Sequence, residues 1–480
     1  MRRTWAVWAV LVVEACGGGA GADPADGAAG DSGSDAAVEV DTREDTASPA
    51  DSAADSAAGP WAEAFAHVVP DDRLVDLRLD FAPGDWASLL SDWQLLRQKN
   101  EYPAAFTFDA ESLARVAVRL KGLNSLRMPD EGPPPLTARY PLKIDFNALG
   151  GPRFHGVDEL ALNSAGNDPS RMRDWLTAHM YEAMGVDAAR IGFAEVHIDG
   201  ALVGPYVLAQ VIDKRFLKER FGETDHADDG NLYKCVYNAF GACALEWLGP
   251  NKSDYARANL APGDCEPGFD ACGLVLQSNE DDPALNDYAD LIHFLDVLHH
   301  TPDDAFPEAF AAVFDVDHFL RLAAVAYATS NFDSYFGKGH NYYLYRRSDG
   351  RFQMIPWDFD LAYEQPTCDA DIADPTCGRA DSHPLTRKIL AVPAWRERYL
   401  AYLHEVATTW LTRERHAAWI GHAHALVADA VARDPNPPDV GFEATYATQT
   451  DPAGQGGGNL YAFVDARRAF ILDRLAARSR

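Results

Sequence analysis

The chain has few basic residues and, after its first segment, no long hydrophobic runs. Its 480 residues carry 42 lysines and arginines against 73 aspartates and glutamates, a formal net charge of −31. Such a surface repels phosphate backbones and anionic lipids, which argues against a nucleic-acid-binding or anionic-membrane-binding protein. No run of about 20 apolar residues follows the N-terminus, which excludes a polytopic membrane protein. The hydrophobic share of 47% allows a sizeable core and excludes global disorder.

The first 16 residues have the features of an export signal. Residues 1–3 supply positive charge, and residues 5–13 form an apolar stretch that is too short to span a bilayer. The segment ends at Cys16 in a sequence that resembles the lipobox of bacterial lipoproteins, in which the cysteine is acylated. The sequence therefore predicts a lipoprotein signal over residues 1–16 with lipidation at Cys16. A simple secretory signal that contains a cysteine is the alternative.

The segment that follows the signal has almost no large apolar side chains. Residues 17–60 consist mainly of alanine, glycine, serine and aspartate. Such a composition cannot bury enough surface to offset the entropy of ordering. We therefore expect a disordered acidic tether that connects the lipid to a folded domain over residues 61–480.

The cysteines also favour export. Apart from Cys16 there are six, and they fall into three close sequential pairs that suggest three disulfides: Cys235–Cys243, Cys265–Cys272 and Cys368–Cys377. A metal cluster is the alternative, but the C-x2-C form is absent and no histidines lie at zinc spacing nearby. Because disulfides require an oxidising compartment, we expect a cell-envelope location, either lipid-anchored or secreted.

The first part of the folded region, about residues 61–230, alternates strand and helix signals. Strands are predicted at 116–122 and 141–146, and a β-hairpin over 193–212 turns at Asp199-Gly200. A helix over 169–184 would take Asp168 as its N-cap and Pro169 as its first residue, and a second helix is predicted over 213–221.

The rest of the chain differs in pattern. Residues 235–285 are rich in glycine, proline, aspartate and cysteine, and we interpret them as an irregular insertion held by two disulfides. The helical part, about 287–480, contains predicted helices at 290–300, 316–329 and over most of 384–478, with a second hairpin at 341–355. A mixed or antiparallel sheet followed by a mainly helical part predicts an α+β fold of two lobes.

The densest polar stretch lies on both sides of the second hairpin. Asp333 follows a predicted helix, Asn341 begins the first hairpin strand, and Asp358 and Asp360 follow the second strand. Because a hairpin brings its two ends together, we expect these four side chains to cluster. Carboxylate and amide oxygens of this kind suit Mg²⁺ or Mn²⁺ rather than zinc.

This order of parts matches the logic of phosphoryl transfer. One carboxylate takes the proton of the acceptor, while an amide and a later carboxylate hold metal against the phosphates. In protein kinases the first aspartate and the asparagine are five residues apart. Here Asp333 and Asn341 are eight apart, so the usual kinase signature is absent. His340 beside them is interpreted as a solvated loop histidine.

At this point the chain resembles a known family, the CotH kinases, which are atypical kinase-like proteins named after a bacterial spore-coat protein. The resemblance is carried by motifs that follow one another over about residues 70–365: Arg119-Leu-Lys-Gly-Leu-Asn-Ser125, Pro141-Leu-Lys-Ile-Asp-Phe146, Asp168-Pro-Ser-Arg-Met-Arg173, Gly204-Pro-Tyr-Val-Leu-Ala-Gln-Val-Ile-Asp213, Gly230-Asn-Leu-Tyr-Lys234, Asn341-Tyr-Tyr-Leu-Tyr345 and Ile355-Pro-Trp-Asp-Phe-Asp360.

The resemblance implies a two-lobed kinase-like fold that binds ATP with a divalent metal. It also implies phosphate transfer to serine or threonine hydroxyls of exported proteins. Carried over to this sequence, Asp333 is the catalytic base, Asp358 is the principal metal ligand, and Asn341 and Asp360 are supporting groups.

The resemblance also implies a lysine on the ATP phosphates. Lys143 is the first choice and Lys121 the second, and the segment from Gly122 to Ser125 would form the turn over the phosphates. The family commonly has a glutamate where this chain has Gln210. If that glutamate normally orients the lysine through an ion pair, an amide here supplies only a hydrogen bond.

Two classes of function follow. The first is an exported, lipid-anchored, ATP- and metal-dependent Ser/Thr kinase. The second is a non-enzymatic surface protein, adhesin-like or a pseudokinase, that keeps the fold for binding. A carboxylate-metal hydrolase is a third possibility, and it would release free phosphate without labelling protein.

Overall fold

The computed structural model describes residues 59–478 except 123–124, 127, 130–131, 237–240, 259–264, 266–270, 365–367, 369–370, 437–444 and 456–457. The predicted signal, Cys16 and residues 17–58 of the predicted tether lie outside the described residues. The last two tether residues, 59 and 60, begin a helix instead. Among the helices of the described ranges, none combines the length and apolar character needed to cross a membrane.

Seven strands close into a barrel in the order β1-β2-β3-β4-β5-β7-β6. They are β1 (Leu74–Phe81), β2 (Tyr102–Phe108), β3 (Glu111–Leu120), β4 (Leu142–Asp145), β5 (Glu159–Asn163), β6 (Ile191–Ile198) and β7 (Ala201–Gln210). β1 runs parallel to β6, and every other neighbouring pair is antiparallel. The sequence predicted a mixed sheet here but not its closure, because closure depends on the pairing of β1 with a strand more than 100 residues later.

The predicted β-hairpin of β6 and β7 is confirmed. Asp199 and Gly200 both have positive φ, 49° and 76°, as a tight two-residue hairpin turn requires. The Asp199 side chain also accepts a hydrogen bond from the backbone N–H of Phe81 at 2.8 Å. The turn therefore fixes the end of β1 beside the hairpin and helps to close the barrel.

A second sheet has five antiparallel strands in the order β12-β11-β8-β10-β9. They are β8 (Leu232–Val236), β9 (Ala256–Ala258), β10 (Ala271–Leu276), β11 (Tyr342–Arg346) and β12 (Phe352–Pro356). The hairpin of β11 and β12 was predicted. The interpretation of residues 235–285 as an irregular insertion was wrong, because β9 and β10 extend this sheet. The sequence did not indicate these strands for two reasons. β10 pairs with β8, which lies far from it along the chain, and both strands are too short to show a clear alternation of polar and apolar residues.

The three predicted disulfides are confirmed. Cys235–Cys243, Cys265–Cys272 and Cys368–Cys377 have Cα atoms 5.5, 5.4 and 5.7 Å apart, within the usual range for a disulfide. Cross-links of this kind persist in an oxidising, extracellular-type environment.

The helices lie mainly in the second half of the chain, as predicted, and the fold is α+β. They are α1 (Gly59–Val68), α2 (Asp85–Ser91), α3 (Arg173–Ala183), α4 (Lys214–Phe221), α5 (Lys252–Tyr255), α6 (Ala289–His300), α7 (Phe306–Val313), α8 (Val316–Ala328), α9 (Tyr335–Lys338), α10 (Pro384–Ala391), α11 (Pro393–Glu405), α12 (Arg413–Ala432), α13 (Tyr446–Thr450) and α14 (Leu460–Arg478). The largest apolar core runs from α3 through α8 to α14 and includes the inner face of the second sheet.

Helix α3 begins four residues later than the sequence predicted, at Arg173 instead of Pro169. The Asp168 carboxylate accepts hydrogen bonds from the backbone N–H groups of Ser170 and Arg173, both at 2.8 Å. Arg171 has φ 63°, which interrupts any helix at that point. Asp168 therefore closes a turn that precedes the helix, and the buried α3 starts at Arg173.

Candidate active site

The loop between α8 and β11, which includes the short helix α9, brings Asp333 and Asn341 together. Asn341 immediately precedes β11 and has φ 55°, which turns its side chain back toward the loop. Its amide nitrogen donates hydrogen bonds to the backbone oxygen of Asp333 at 2.7 Å and to the Asp333 carboxylate at 3.2 Å. The predicted proximity of these two residues is therefore observed.

The Asp333 carboxylate has two basic neighbours from the same loop. Lys338 Nζ lies 2.5 Å and His340 Nε2 3.0 Å from Oδ1 of Asp333. Burial tends to raise the pKa of Asp333, but hydrogen bonds and attraction from His340 and Lys338 outweigh it and lower the pKa to about 2. Asp333 is therefore ionised at neutral pH. The interpretation of His340 as a solvated histidine was wrong, since its side chain is only 17% exposed.

The end of β12 places Asp358 beside this loop. The backbone N–H of Trp357 donates to the backbone oxygen of Asn341 at 3.0 Å, which joins the two ends of the hairpin. Asp358 has φ 63°, a left-handed conformation that is uncommon for residues other than glycine. Burial raises the pKa of Asp358; Lys121 opposes this shift by attraction, and the charge of Asp333 adds to it.

Asp360 joins the same acidic group from the other side. Its carboxylate accepts a hydrogen bond from Asn167 Nδ2 at 2.9 Å. Burial, followed by repulsion from Asp358 and Asp174, holds the pKa of Asp360 well above its usual range. The expectation that the hairpin ends gather Asp333, Asn341, Asp358 and Asp360 therefore agrees with the geometry.

Asp174 is a member of this group that the sequence analysis did not identify. It is the second residue of α3 and is only 2% exposed, and its Oδ1 accepts the backbone N–H of Phe359 at 2.7 Å. Burial and the charge of Asp358 raise the pKa of Asp174 to about 7. The structural feature that marks Asp174 is its burial between Arg173 and Trp175, which are also buried. That burial cannot be recognised from the sequence.

Lys121 faces the acidic group from the barrel. Arg119 and Lys143 lie opposite each other on β3 and β4, and Lys121 follows two residues after Arg119 on the same face. Lys121 Nζ donates a hydrogen bond to the Asn163 side chain and lies 5.5 Å from the ring centroid of Trp357. Burial lowers the pKa of Lys121, while Asp358, Asp174 and Asp360 attract its positive charge.

Lys143 has a different partner. Its Nζ lies 2.5 Å from Oε1 of Glu159 on the neighbouring strand β5. The ion-pair partner of Lys143 in the structure is therefore Glu159.

Gln210, which the resemblance would allow to hydrogen-bond a lysine, has other partners in the structure. Gln210 is fully buried, its Nε2 donates to Glu219 of α4 at 2.6 Å, and its Oε1 accepts the backbone N–H of Arg190 at 3.0 Å. Ser125 lies close to Gly122, since a Cβ added to Gly122, whose φ is 70°, would come 2.5 Å from the Ser125 hydroxyl. Residues 123–124 of the predicted turn lie outside the described residues.

Lys234 is a second residue that the sequence analysis did not select, although its motif was quoted. It lies on β8 with Nζ 5.6 Å from the ring centroid of Tyr343. Burial, together with repulsion from Lys143 and Lys121, lowers the pKa of Lys234 to about 7. Lysines from the barrel and from the second sheet therefore converge, and their mutual repulsion would be relieved by an anion.

The donor set fits a hard divalent cation. Asp174, Asp358 and Asp360 are carboxylates that repel one another, as the causes of their raised pKa values indicate. A cation held between them would remove that repulsion, and carboxylate oxygens are the ligands that Mg²⁺ and Mn²⁺ prefer. Carboxylate oxygens of the kind that hard cations prefer thus lie next to a group of lysines.

Comparison with known proteins assigns the family. Residues 135–471 match the sequence model of the family described as CotH kinase protein. The chain belongs to the CotH kinase family. It is also 26% identical over 283 residues to the inner spore coat protein H of Bacillus subtilis (strain 168). The aligned region covers 59% of this chain and 71% of that protein. The CotH match includes the four predicted acidic and amide residues and Lys143, whereas Lys121 and Ser125 precede it.

Proposed function

We propose that this CotH family member is an atypical protein kinase that transfers the γ-phosphoryl group of ATP to serine or threonine hydroxyls of exported proteins, with Mg²⁺ or Mn²⁺. In this proposal the barrel is the N-terminal lobe, and the second sheet with the helices is the C-terminal lobe of a kinase-like fold. The observation that carries it is the convergence of Asp333, Asn341 and Asp358 at the hairpin ends opposite Lys121.

Asp358 is the proposed principal metal ligand, with Asp360 and the side-chain oxygen of Asn341 in support. Asp174 is added to this set because its charge repels those of Asp358 and Asp360, which places it close to both. When bound, the metal ion neutralises charge on the β- and γ-phosphates. Asn341 has a further role, since its amide holds Asp333 in place.

Asp333 is the proposed catalytic base. A carboxylate whose pKa is about 2 is a weak proton acceptor, but transfer of a phosphoryl group through a largely dissociative transition state needs little proton removal before the bond to the leaving group breaks. Its main contribution would be to accept a hydrogen bond from the acceptor hydroxyl and to fix its direction.

Lys121 is the proposed phosphate-binding lysine, in place of our first choice, Lys143. Lys121 is attracted by the same aspartates that would hold the metal. Lys143, paired with Glu159, and Lys234 would complete a positive surface for the triphosphate. Ser125 and Gly122 would form the turn above it.

The location proposed is the cell envelope, with Cys16 as the lipid-anchor site. Three disulfides agree with an oxidising compartment. Protein substrates in the same compartment would present the serine or threonine acceptors. No nucleic acid is expected as a partner, because the net charge is −31.

Non-catalytic binding on the same fold is the second candidate, and one observation favours it. Asp333 already makes contacts with Lys338 and His340, so an acceptor hydroxyl would have to share or displace them. A pseudokinase that binds nucleotide without transfer would tolerate this arrangement.

The test is a transfer assay with the purified full chain, γ-labelled ATP, and Mg²⁺ or Mn²⁺. We expect label on the chain itself or on added exported proteins, and its loss in Asp333→Asn and Asp358→Asn. Asp473→Asn, at an exposed position of α14, is the matched control and should retain labelling. Release of free phosphate without protein labelling would support a hydrolase, and nucleotide binding without either product would support the pseudokinase.

A further inference from the structure

A separate cluster of side chains that could bind a metal lies at the protein surface. His67 Nε2 is 2.7 Å from one carboxylate oxygen of Glu111, and His155 Nε2 is 2.8 Å from the other. One ligand atom from each of the three residues lies within 4.8 Å of the other two. None of these residues has a role in the proposed kinase site.

Three different elements supply these ligands. His67 is in the last turn of α1, and Glu111 is the first residue of β3. His155 lies in a tight turn closed by reciprocal backbone hydrogen bonds between Phe154 and Val157, at 3.2 and 3.0 Å. The cluster therefore connects the first described helix to the barrel wall and to the loop before β5.

The backbone at His155 is specialised. His155 has φ 52° and Gly156 has φ 82°, the pair of left-handed residues for which asparagine and glycine are the usual choices. A histidine in that position holds its imidazole toward Glu111 at the cost of local strain. The turn could form more easily with asparagine, so its own geometry does not explain the imidazole.

Aromatic packing limits the orientations of both imidazoles. The two imidazole centroids are 4.1 Å apart, and that of His155 lies 4.7 Å from the ring centroid of Phe154. The His67 ring also lies 6.0 Å from that of Phe108. Although burial tends to raise the pKa of Glu111, hydrogen bonds from His155 and His67 lower it, so this residue remains a carboxylate. The three donor atoms are therefore held close together. Glu111 is already ionised, so metal binding would require only the loss of the two Nε2 protons.

We propose that His67, Glu111 and His155 bind one Zn²⁺ ion, with water in a fourth position. Two imidazoles and one carboxylate are an established protein ligand set for Zn²⁺. Binding would displace the imidazole Nε2 protons into solvent, and the metal would replace them between the rings and the carboxylate. The oxygen-rich group at Asp358 is suited to harder cations, so the two sites would differ in metal preference.

The ion would fasten α1 to the barrel. At its other end α1 is already held by Trp61, whose ring lies 5.0 Å from the Arg215 guanidinium and 5.3 Å from Lys218 Nζ, both on α4. His67 and Glu111 lie before the segment that matches the CotH family, and His155 lies within it. The proposal is independent of catalysis, and it concerns the docking of α1, the helix in which the predicted tether ends.

The test is a Zn²⁺ titration of the untagged, metal-stripped full chain against a chromophoric chelator, repeated with Co²⁺ to record the absorption of a tetrahedral nitrogen-containing site. We expect one equivalent bound and a rise in melting temperature. His155→Asn keeps the left-handed turn and His67→Gln keeps the helix, and each should weaken binding by about tenfold or more. Asp358→Asn should leave Zn²⁺ affinity unchanged.

Two results would overturn the proposal. One is the absence of stoichiometric Zn²⁺ binding by the folded chain. The other is Zn²⁺ binding that persists unchanged in His67→Gln and His155→Asn, because the ion would then be held elsewhere. Loss of Zn²⁺ binding in Asp358→Asn would show that the ion is held by the acidic group. Circular dichroism of each variant separates loss of a ligand from loss of the fold. The result does not depend on kinase activity, so failure of one proposal leaves the other intact.

Discussion

The backbone N–H of Phe359 donates a hydrogen bond to the buried carboxylate of Asp174, 2.7 Å away and 185 residues earlier in the chain. Phe359 stands between Asp358 and Asp360, so this one contact fixes the segment that carries two of the proposed metal ligands. Asp174 thus has two roles: it positions the backbone of that segment, and its charge completes the acidic group.

The two roles of Asp174 can be separated by substitution. Asp174→Asn keeps an oxygen for the Phe359 N–H and removes a buried charge, so we expect it to retain or gain stability without metal while it weakens metal-dependent nucleotide binding. Asp174→Ala leaves that N–H without its acceptor and should cost about 1–3 kcal/mol of unfolding free energy. Urea unfolding and nucleotide titration with Mn²⁺ measure the two effects. Equal nucleotide affinity in wild type and Asp174→Asn would show that Asp174 does not contribute to the metal–nucleotide site.

Lys121 and Lys143 are expected to differ in nucleotide binding. Lys121→Met should raise the Kd for ATP and metal about tenfold or more, equivalent to about 1.4 kcal/mol, because this lysine faces the acidic group directly. Lys143→Met should have a smaller effect on Kd, since Glu159 already neutralises Lys143. Isothermal titration of both variants measures the difference. The reverse order would place the phosphates along β4 and β5 and restore Lys143 as the main phosphate ligand.

Gly337 is required by the packing of the Asp333 loop. A Cβ at this position would lie 1.9 Å from the carbonyl oxygen of Phe332, the residue before Asp333. Gly337→Ala should therefore displace the loop and reduce phosphate transfer by about tenfold or more, with a loss of stability. Gly421→Ala in α12 is the matched control, since beyond the neighbouring helix backbone no described atom lies within 4 Å of an added Cβ, and it should stabilise the chain by about 0.5–1 kcal/mol. Transfer rates and melting curves measure both, and normal transfer by Gly337→Ala would show that the loop position is not critical.

His416 should make stability depend on pH. It is fully buried, and burial lowers its pKa from 6.5 in the unfolded chain to about 4. Between these values the unfolded state binds more protons than the folded state, so stability is complete above pH 6.5 and falls as the pH decreases toward 4. The loss should reach about 3 kcal/mol at most.

The comparison variant for this effect is His416→Gln, which cannot titrate. Its free energy of unfolding, measured in urea at a series of pH values, should fall less steeply than that of wild type below pH 6.5. His404→Gln, on the exposed side of α11, is the control and should follow wild type. If the unfolding free energies of wild type and His416→Gln had the same pH dependence, the lowered pKa of His416 would not be a source of acid sensitivity.

Local signals in the sequence were sufficient for several parts of the fold. The Asp199-Gly200 turn, the hairpin of β11 and β12, and the three cysteine pairs all depend on residues that are close in the chain. Because a hairpin joins its own ends, the proximity of Asn341 and Asp358 follows from the sequence alone.

The parts that the sequence did not predict depend on distant contacts. The barrel closes through β1 and β6, and β10 joins the second sheet through β8, which no local pattern specifies. Asp174 and Lys234 enter the site only because α3 and β8 pack beside it. Gln210 was misplaced for the same reason: its bond to Glu219 depends on how α4 folds back against β7.

The most direct measurement of the central proposal is the melting temperature of the full chain with ATP and Mn²⁺, with each alone, and in two variants. We predict that ATP and Mn²⁺ together raise the melting temperature of wild type, that Asp333→Asn keeps this rise but loses phosphate transfer, and that Asp358→Asn loses both. A rise of equal size in Asp358→Asn, or none in wild type, would contradict the assignment of these aspartates to a metal–nucleotide site.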